Sequence, residues 1–481
     1  MTATITDQFK RELTEELIRD FDSGDNYYIV IGRSEQWNAT DTVPNISQVD
    51  YLQSPAYSRL TRNAFQASKL VSNLSYVVPR YNWTSGTIYY GYNDNHTDHD
   101  DDSKKYYVLN DQNQVYMCLR SGTGGGVFTD PITGKSVPNL GISTIQPSGG
   151  LNGVPFKTSD GYFWKFLYTI SVADTDNYVT SKFIPVKFVD SAGVDDPATD
   201  IQQKAVQDVA NPKQIVGFQI LDAGAGIYSQ SALPTITIEG NGSGAAGRAI
   251  VDGTGYLVGI EIDSNGIGTG WQFGSEYDYA KVYVNGNENI ARPILSPRNG
   301  IGANPTIDLR ATQLMFNVQL AGNEGGEIIP YRPQTTYFRQ ISLLKNPTTT
   351  VNDSDYFTDP LGNNLRGMTL NSRVGGGFVV NDTITGAVSG AKAVVDHVYD
   401  SSDGVNITGF LYYHQNDSTG YEAFQLNEQV DSLIATAQGE IATFITPDID
   451  NYSGKLLYID SRGEIPRDTE SRQDLKLVVT F

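Results

Sequence analysis

The sequence predicts an α+β protein that is mainly β. Three observations lead there. Of 481 residues, 48 are glycine and 29 tyrosine, and with many Thr, Val, Asn and Asp this composition suits short strands joined by tight turns. Helical periodicity occurs near the start, where Ile5, Phe9, Leu13, Leu17 and Phe21 fall four apart. A glycine-rich β pattern also repeats within the chain.

The first stripe predicts a helix from about residue 6 to 21, stopped by Ser23-Gly24-Asp25. "YYIVIGRSEQW", Tyr27 to Trp37, opens with an aromatic and β-branched run that reads as a buried strand. Gly32 breaks the run and delivers Arg33, Glu35 and Trp37 at its end. A second helix is expected from Pro55 to about Asn73, with Leu60, Ala64, Ala67 and Val71 on one face. "YVVPRYNW" is a strand leading into Arg80 and Trp83, and "QVYMCLRSG" is a strand ending in the glycine loop "GTGGG". "SDGYFWKFLYTI" is a turn followed by an aromatic strand that carries Trp164.

Near residue 200 the texture changes. "IVGFQILDAGAG" from Ile215 returns as "LVGIEIDSNGIG" from Leu257, and each copy precedes a further alternating strand, "PTITIEG" and "AKVYVNG". Two copies are too few for a solenoid, so a compact module over about 212–300 is expected. "TYFRQISLLKNP" carries Arg339 and returns to the earlier style. A second glycine-rich β module is expected over about 375–446, and "GKLLYIDSRGEIPRDTESRQDLKLVVTF" closes the chain with an alternating strand. The expected organisation is a core over 1–211, an inserted module over 212–300, core continuation over 301–374, a second inserted module over 375–446 and C-terminal core strands over 447–481.

The formal charge is −21, from 55 acidic and 34 basic side chains. Phosphate binding draws on clustered Lys and Arg, so nucleic acid is not expected as a partner. No apolar run approaches the length of a membrane span, so no membrane association is expected. Cys118 is the sole cysteine, which excludes an intrachain disulfide and a Cys-based zinc site. The single cysteine makes a cytosolic origin the expectation, and "MTATITDQFKREL" lacks an apolar leader core.

The chemistry-bearing motifs are few. His96 and His99 sit among Asp98, Asp100, Asp101 and Asp102, but the loop from Asn93 to Asp102 reads as a solvated acidic run with no metal site. "GTGGG", Gly122 to Gly126, lacks the following Lys-Ser/Thr and helix start of a phosphate cradle, and reads as a flexible or partner-contacting loop. With four histidines in all, general-base chemistry has few players. What remains is Arg33, Trp37, Arg80, Trp83, Trp164 and Arg339. Tryptophan and arginine dominate interface hot spots, and they equally serve to pack cores and tie down strand ends.

Six stretches, "IGRSEQW", "VPRYNW", "QVYMCL", "SDGYFWKFLYTI", "YFRQISLLKNP" and the closing segment, resemble one family in its own order. It is the baseplate wedge subunit of T-even-type contractile-tailed bacteriophages, the gene eight product family. The two glycine-rich units look like insertions into it, as in the long forms of cyanobacterial phages. The resemblance implies a mixed α/β core with inserted small β-sandwich or barrel-like modules. It implies a structural protein without enzymatic activity or cofactor, made in the host cytoplasm and built into the virion tail baseplate. The implied partners are a second copy of the chain, other wedge subunits and fibre-connecting proteins. Arg33 and Trp37 then read as a structural corner or an interface.

Two other classes compete. Abundant Tyr, Trp and Gly-rich β units would suit a carbohydrate- or receptor-binding tail protein, since aromatic rings stack on sugar faces. Plentiful carboxylates would suit a polysaccharide-cleaving tail enzyme.

Overall fold

The computed structural model describes residues 6–47, 52–95, 103–190, 196–262, 270–322, 324, 336–402, 407–468 and 470–481. Most of the acidic loop, including His96 and His99, lies outside these residues. The protein is α+β and mainly β, with several sheets and a closed six-stranded barrel. Among the described residues no helix is long and apolar enough to cross a membrane. The chain divides into two compact units, one formed by residues 12–74 and 315–479 and the other by 1–11, 75–314 and 480–481.

The first of these units is built on a five-stranded sheet in the order Leu361–Asn363, Phe65–Leu70, Tyr27–Gly32, Thr336–Lys345, Lys455–Arg467. All four ladders are antiparallel. The middle strand is buried along its whole length because both faces of the sheet are covered. Tyr27, Ile29 and Ile31 join Phe316, Val318 and Leu343 on one side, where Leu17 and Phe21 of the helix Asp7–Asp22 also pack. Tyr28 and Val30 join Phe65, Leu344, Phe357 and Ile449 on the other.

The second helix is shorter than its periodicity suggests. It spans Pro55–Asn63, and Phe65–Leu70 is a strand paired with Tyr27–Gly32. An apolar residue every third or fourth position also fits a strand buried on both faces, and the vacant sheet edge beside Tyr27–Gly32 decides between them.

The same unit carries the barrel. Its strands run in the order Arg366–Val374, Ile407–His414, Lys392–Ser402, Thr383–Gly386, Gln429–Ser432, Gln438–Ile445. Met368, Leu370, Ile384, Val395, Leu411, Val430 and Ile441 form its interior. The barrel therefore begins at Arg366, ahead of the position 375 read from the glycine run. Gly367 pairs with Ile445, which puts its two ends side by side.

The other unit centres on a sheet in the order Tyr107–Leu109, Gln114–Arg120, Phe163–Thr169, Phe156–Lys157. Alternation along Gln114–Arg120 divides Val115, Met117 and Leu119 from Tyr116 and Cys118, which enter separate cores. The repeat module forms nested antiparallel ladders. Ile215–Ile220 pairs with Ala291–Leu295, Ile236–Gly240 with Ala280–Val284, Ser243–Ala245 with Phe273–Ser275, and Arg248–Val251 with Leu257–Glu261. Matching residues of the two copies, Ile215 with Leu257 and Phe218 with Ile260, share one core.

The glycine run is not a loop. Thr123–Thr129 is a strand paired with Ser136–Leu140 across a bulge. A Cβ on Gly124 would lie 2.5 Å from the Leu140 carbonyl oxygen, so close backbone approach requires glycine there.

Candidate functional site

The corner after Tyr27–Gly32 begins with an irregular register between Ile31 and Gly32. A Cβ on Gly32 would meet the Ala64 carbonyl oxygen at 2.5 Å, and the next amide, of Arg33, donates to that same oxygen at 2.8 Å. Arg33 then adopts φ +64°, a left-handed conformation that reverses the chain. Its guanidinium lies 4.2 Å from the centroid of the Trp37 ring and donates to the Gln36 carbonyl at 3.2 Å. Trp37 is half-buried, and its Nε1 donates to the Arg462 carbonyl at 2.7 Å.

Arg339 holds this corner from below. It is 1 % exposed, and its Nε donates to both Asp41 oxygens, at 3.0 and 2.9 Å. Its other nitrogens reach the Ser34 carbonyl and Glu464. Asp41 also accepts the Trp37 amide at 3.0 Å. Burial pushes the Asp41 carboxyl up, but the Trp37 amide and the Arg339 guanidinium outweigh it and hold the group below its usual range. Arg33, Trp37 and Arg339 are thus brought together as one structural unit.

A polar chain then runs from the corner to the barrel. Ser34 Oγ donates to Asp396 Oδ1 at 2.5 Å, and His414 Nδ1 lies 2.6 Å from Asp396 Oδ2. His414 Nε2 lies 3.2 Å from Glu35 Oε2, which Asn416 also approaches. Burial alone would lower the His414 pKa, but Asp396 and Glu35 overcome it and push it up to about 10. Burial raises Glu35, yet its hydrogen bond and charge pairing with His414 leave it below the usual carboxylate value.

These residue types are those of a hydrolytic triad, but the connectivity is not. The serine bonds the aspartate rather than the imidazole, and both ring nitrogens face carboxylates. No imidazole nitrogen remains as a base for a hydroxyl, so the arrangement can lock two segments together and cannot activate Ser34.

Arg80, Trp83 and Trp164 belong to the other unit. Arg80 donates to Asn82 Oδ1 and the Thr180 carbonyl, both at 2.9 Å. Trp83 Nε1 donates to Ser143 Oγ at 3.0 Å, which itself donates to Asp160 at 3.1 Å. Asp160 also accepts the Thr144 and Ile145 amides, at 2.8 and 3.0 Å. Trp164 is fully buried, stacked on Tyr162 at 5.3 Å, and its Nε1 has no hydrogen-bond partner among the described residues. Trp83 packs beside Trp164 in the same core.

The sequence singled out Arg33, Trp37 and Arg339 but missed Ser34, Asp41 and Glu464 as partners of Arg339, and Asp396 and His414 as partners of Ser34 and Glu35. Polar residues hundreds of positions apart carry no local signal. Among the described residues no group of three or more His, Cys, Asp or Glu side chains could hold a metal ion. Compared with protein-family models and with curated proteins, the chain matches none.

Proposed function

We propose that this chain is a structural component of a phage tail baseplate wedge, acting as a homodimer that links neighbouring wedge subunits and fibre-connecting proteins. The reading rests on the ordered resemblance of six sequence stretches to that subunit family. One observation in the molecule supports it most directly. Ser34, Glu35, Asp396 and His414, whose residue types are those of a hydrolytic triad, are used up in a lock between a strand corner and a barrel. Such a lock suits a rigid assembly part.

The test is reconstitution with the other wedge proteins of the same virus, followed by a density map of the particle and sedimentation of the free chain. Density for two copies per wedge and a dimer at micromolar concentration are expected. A stable monomer that does not enter the wedge would overturn the proposal.

A second reading, a carbohydrate- or receptor-binding tail protein, has one feature in its favour. A cleft of about 470 Å³ beside the barrel carries Tyr421, Tyr452 and Phe444, which are 48, 57 and 41 % exposed, next to Asn364 and Asn451. Aromatic faces flanked by amides suit sugar rings. Glycan-array binding lost in Tyr452→Ala would favour this reading.

A further inference from the structure

The unit formed mainly by residues 75–314 contains a cleft of about 1050 Å³ that no part of the proposed assembly role uses. Its wall includes Lys165, Trp271, Phe273, Phe156 and Val154. Lys165 lies on the strand Phe163–Thr169 and is 8 % exposed. Its Nζ makes no hydrogen bond or ion pair with any described residue. Buried ammonium groups are normally paired, because leaving water without a counter-charge is unfavourable.

The surroundings sharpen the anomaly. The charge that acts on Lys165 is Asp308, whose carboxyl accepts the Gly302 amide at 2.6 Å. Burial brings the Lys165 amine down to about 8, against the pull of Asp308, and brings the Asp308 carboxyl up to about 7. The second lysine on the wall, Lys157, is already paired to Glu261. Among the described residues no Asp or Glu lines the cleft, in a chain whose net charge is −21. Trp271 closes one side, its ring 4.4 Å from that of Phe163, and offers a partly buried apolar face.

We propose that this cleft is a binding site for a carboxylate carried on an apolar arm, the acid group seated on Lys165 and the arm against Trp271, Phe273 and Val154. The carboxylate supplies the missing counter-charge through a charge-assisted hydrogen bond, and the aromatic wall buries the arm. A free organic acid and an acidic side chain next to a bulky residue in a polypeptide share this chemistry. The site is independent of the baseplate reading and stands or falls separately from it.

The experiment titrates the full chain by calorimetry with three probes: 3-phenylpropanoate, its neutral amide, and N-acetyl-Phe-Glu-amide. The expected result is that the acid binds at least about tenfold more tightly than the amide, as a charged hydrogen bond provides. Lys165→Met should abolish that preference. Bound acid should also protect Lys165 from reductive methylation, read by peptide mass spectrometry on the unmutated protein, which decides the matter should Lys165→Met not fold. Tighter binding of the peptide would identify a polypeptide source, and tighter binding of the free acid a small-molecule one. Equal affinity for acid and amide, no binding of either acid up to about 10 mM, or an unprotected Lys165 would each overturn the proposal.

Discussion

His414 Nδ1 lies 2.6 Å from Asp396 Oδ2 while its Nε2 faces Glu35 at 3.2 Å, so one buried imidazole bridges two carboxylates from distant parts of the chain. The ring is held protonated, with its pKa pushed up to about 10 from an ordinary 6.5. A folded-state pKa above the unfolded one stabilises fully below about 6.5 and loses that contribution as pH rises through about 10. Thermal or urea unfolding between those limits should show stability falling with pH, by at most about 1.4 kcal/mol per unit from this one proton. In His414→Gln that fall should flatten. An unchanged pH profile in the variant would remove the bridge from the account.

Arg339 is the corresponding anchor for the corner. Arg339→Met leaves Asp41 without its guanidinium and the Ser34 carbonyl without its donor. The carboxylates left behind, Asp41 and Glu464, keep contact with water, so the expected loss is that of hydrogen bonds to a charged group, about 1.5–3 kcal/mol. Arg339→Lys should recover only part, because an ammonium cannot present the planar fork that spans Asp41, Ser34 and Glu464. A lysine variant as stable as the parent would show that the fork geometry is immaterial.

Trp37→Ala should have a smaller effect than a core tryptophan, because the ring is only half-buried. It removes the hydrogen bond to the Arg462 carbonyl and the face beneath Arg33. The expected loss is about 2 kcal/mol, combining one hydrogen bond, a cation–π contact and partial burial. A melting temperature equal to the parent's, with failure to assemble, would instead make Trp37 an interface anchor.

Gly32→Ala should destabilise by about 1–3 kcal/mol through overpacking, since its Cβ would lie 2.5 Å from the fixed Ala64 carbonyl oxygen. Gly463→Ala is the control, for a Cβ there meets nothing within 4 Å. Chemical denaturation of the pair should separate them clearly, and equal midpoints would contradict the tight approach at Gly32.

The barrel should be excisable at its own ends. Gly367 pairs with Ile445, so a short Gly-Ser linker can bridge the neighbouring positions with little closure entropy. The shortened protein should fold but with reduced stability, because Ser34 and Glu35 lose Asp396 and His414. Adding Glu35→Gln to the shortened chain should then change its stability by less than about 0.5 kcal/mol, the range of an ordinary surface substitution. Failure of the shortened chain to give soluble protein would make the barrel part of the core.

Much of the β architecture was legible in order. The runs at Tyr27–Gly32, Gln114–Arg120, Phe163–Thr169 and Thr336–Lys345 are strands because β-branched and aromatic residues in short runs between turn residues admit little else. The helix Asp7–Asp22 followed from its four-residue stripe. The internal repeat was visible because its copies conserve the same local β pattern, and they share a core. Arg33, Trp37 and Arg339 could be singled out by residue type alone.

Tertiary structure decided the rest. Phe65–Leu70 became a strand because a sheet edge was available to it, which no local period records. The glycine run Gly122–Gly126 became a bulged strand because a neighbouring backbone lies too close for a side chain. The partners of the corner, Asp396 and His414, are 362 and 379 residues from Ser34 and Glu35 respectively. Local sequence determines backbone preference over a few residues, whereas which carboxylate meets which imidazole depends on how the strands are brought together. That is why the strands could be read from the sequence and the buried ionic lock between them could not.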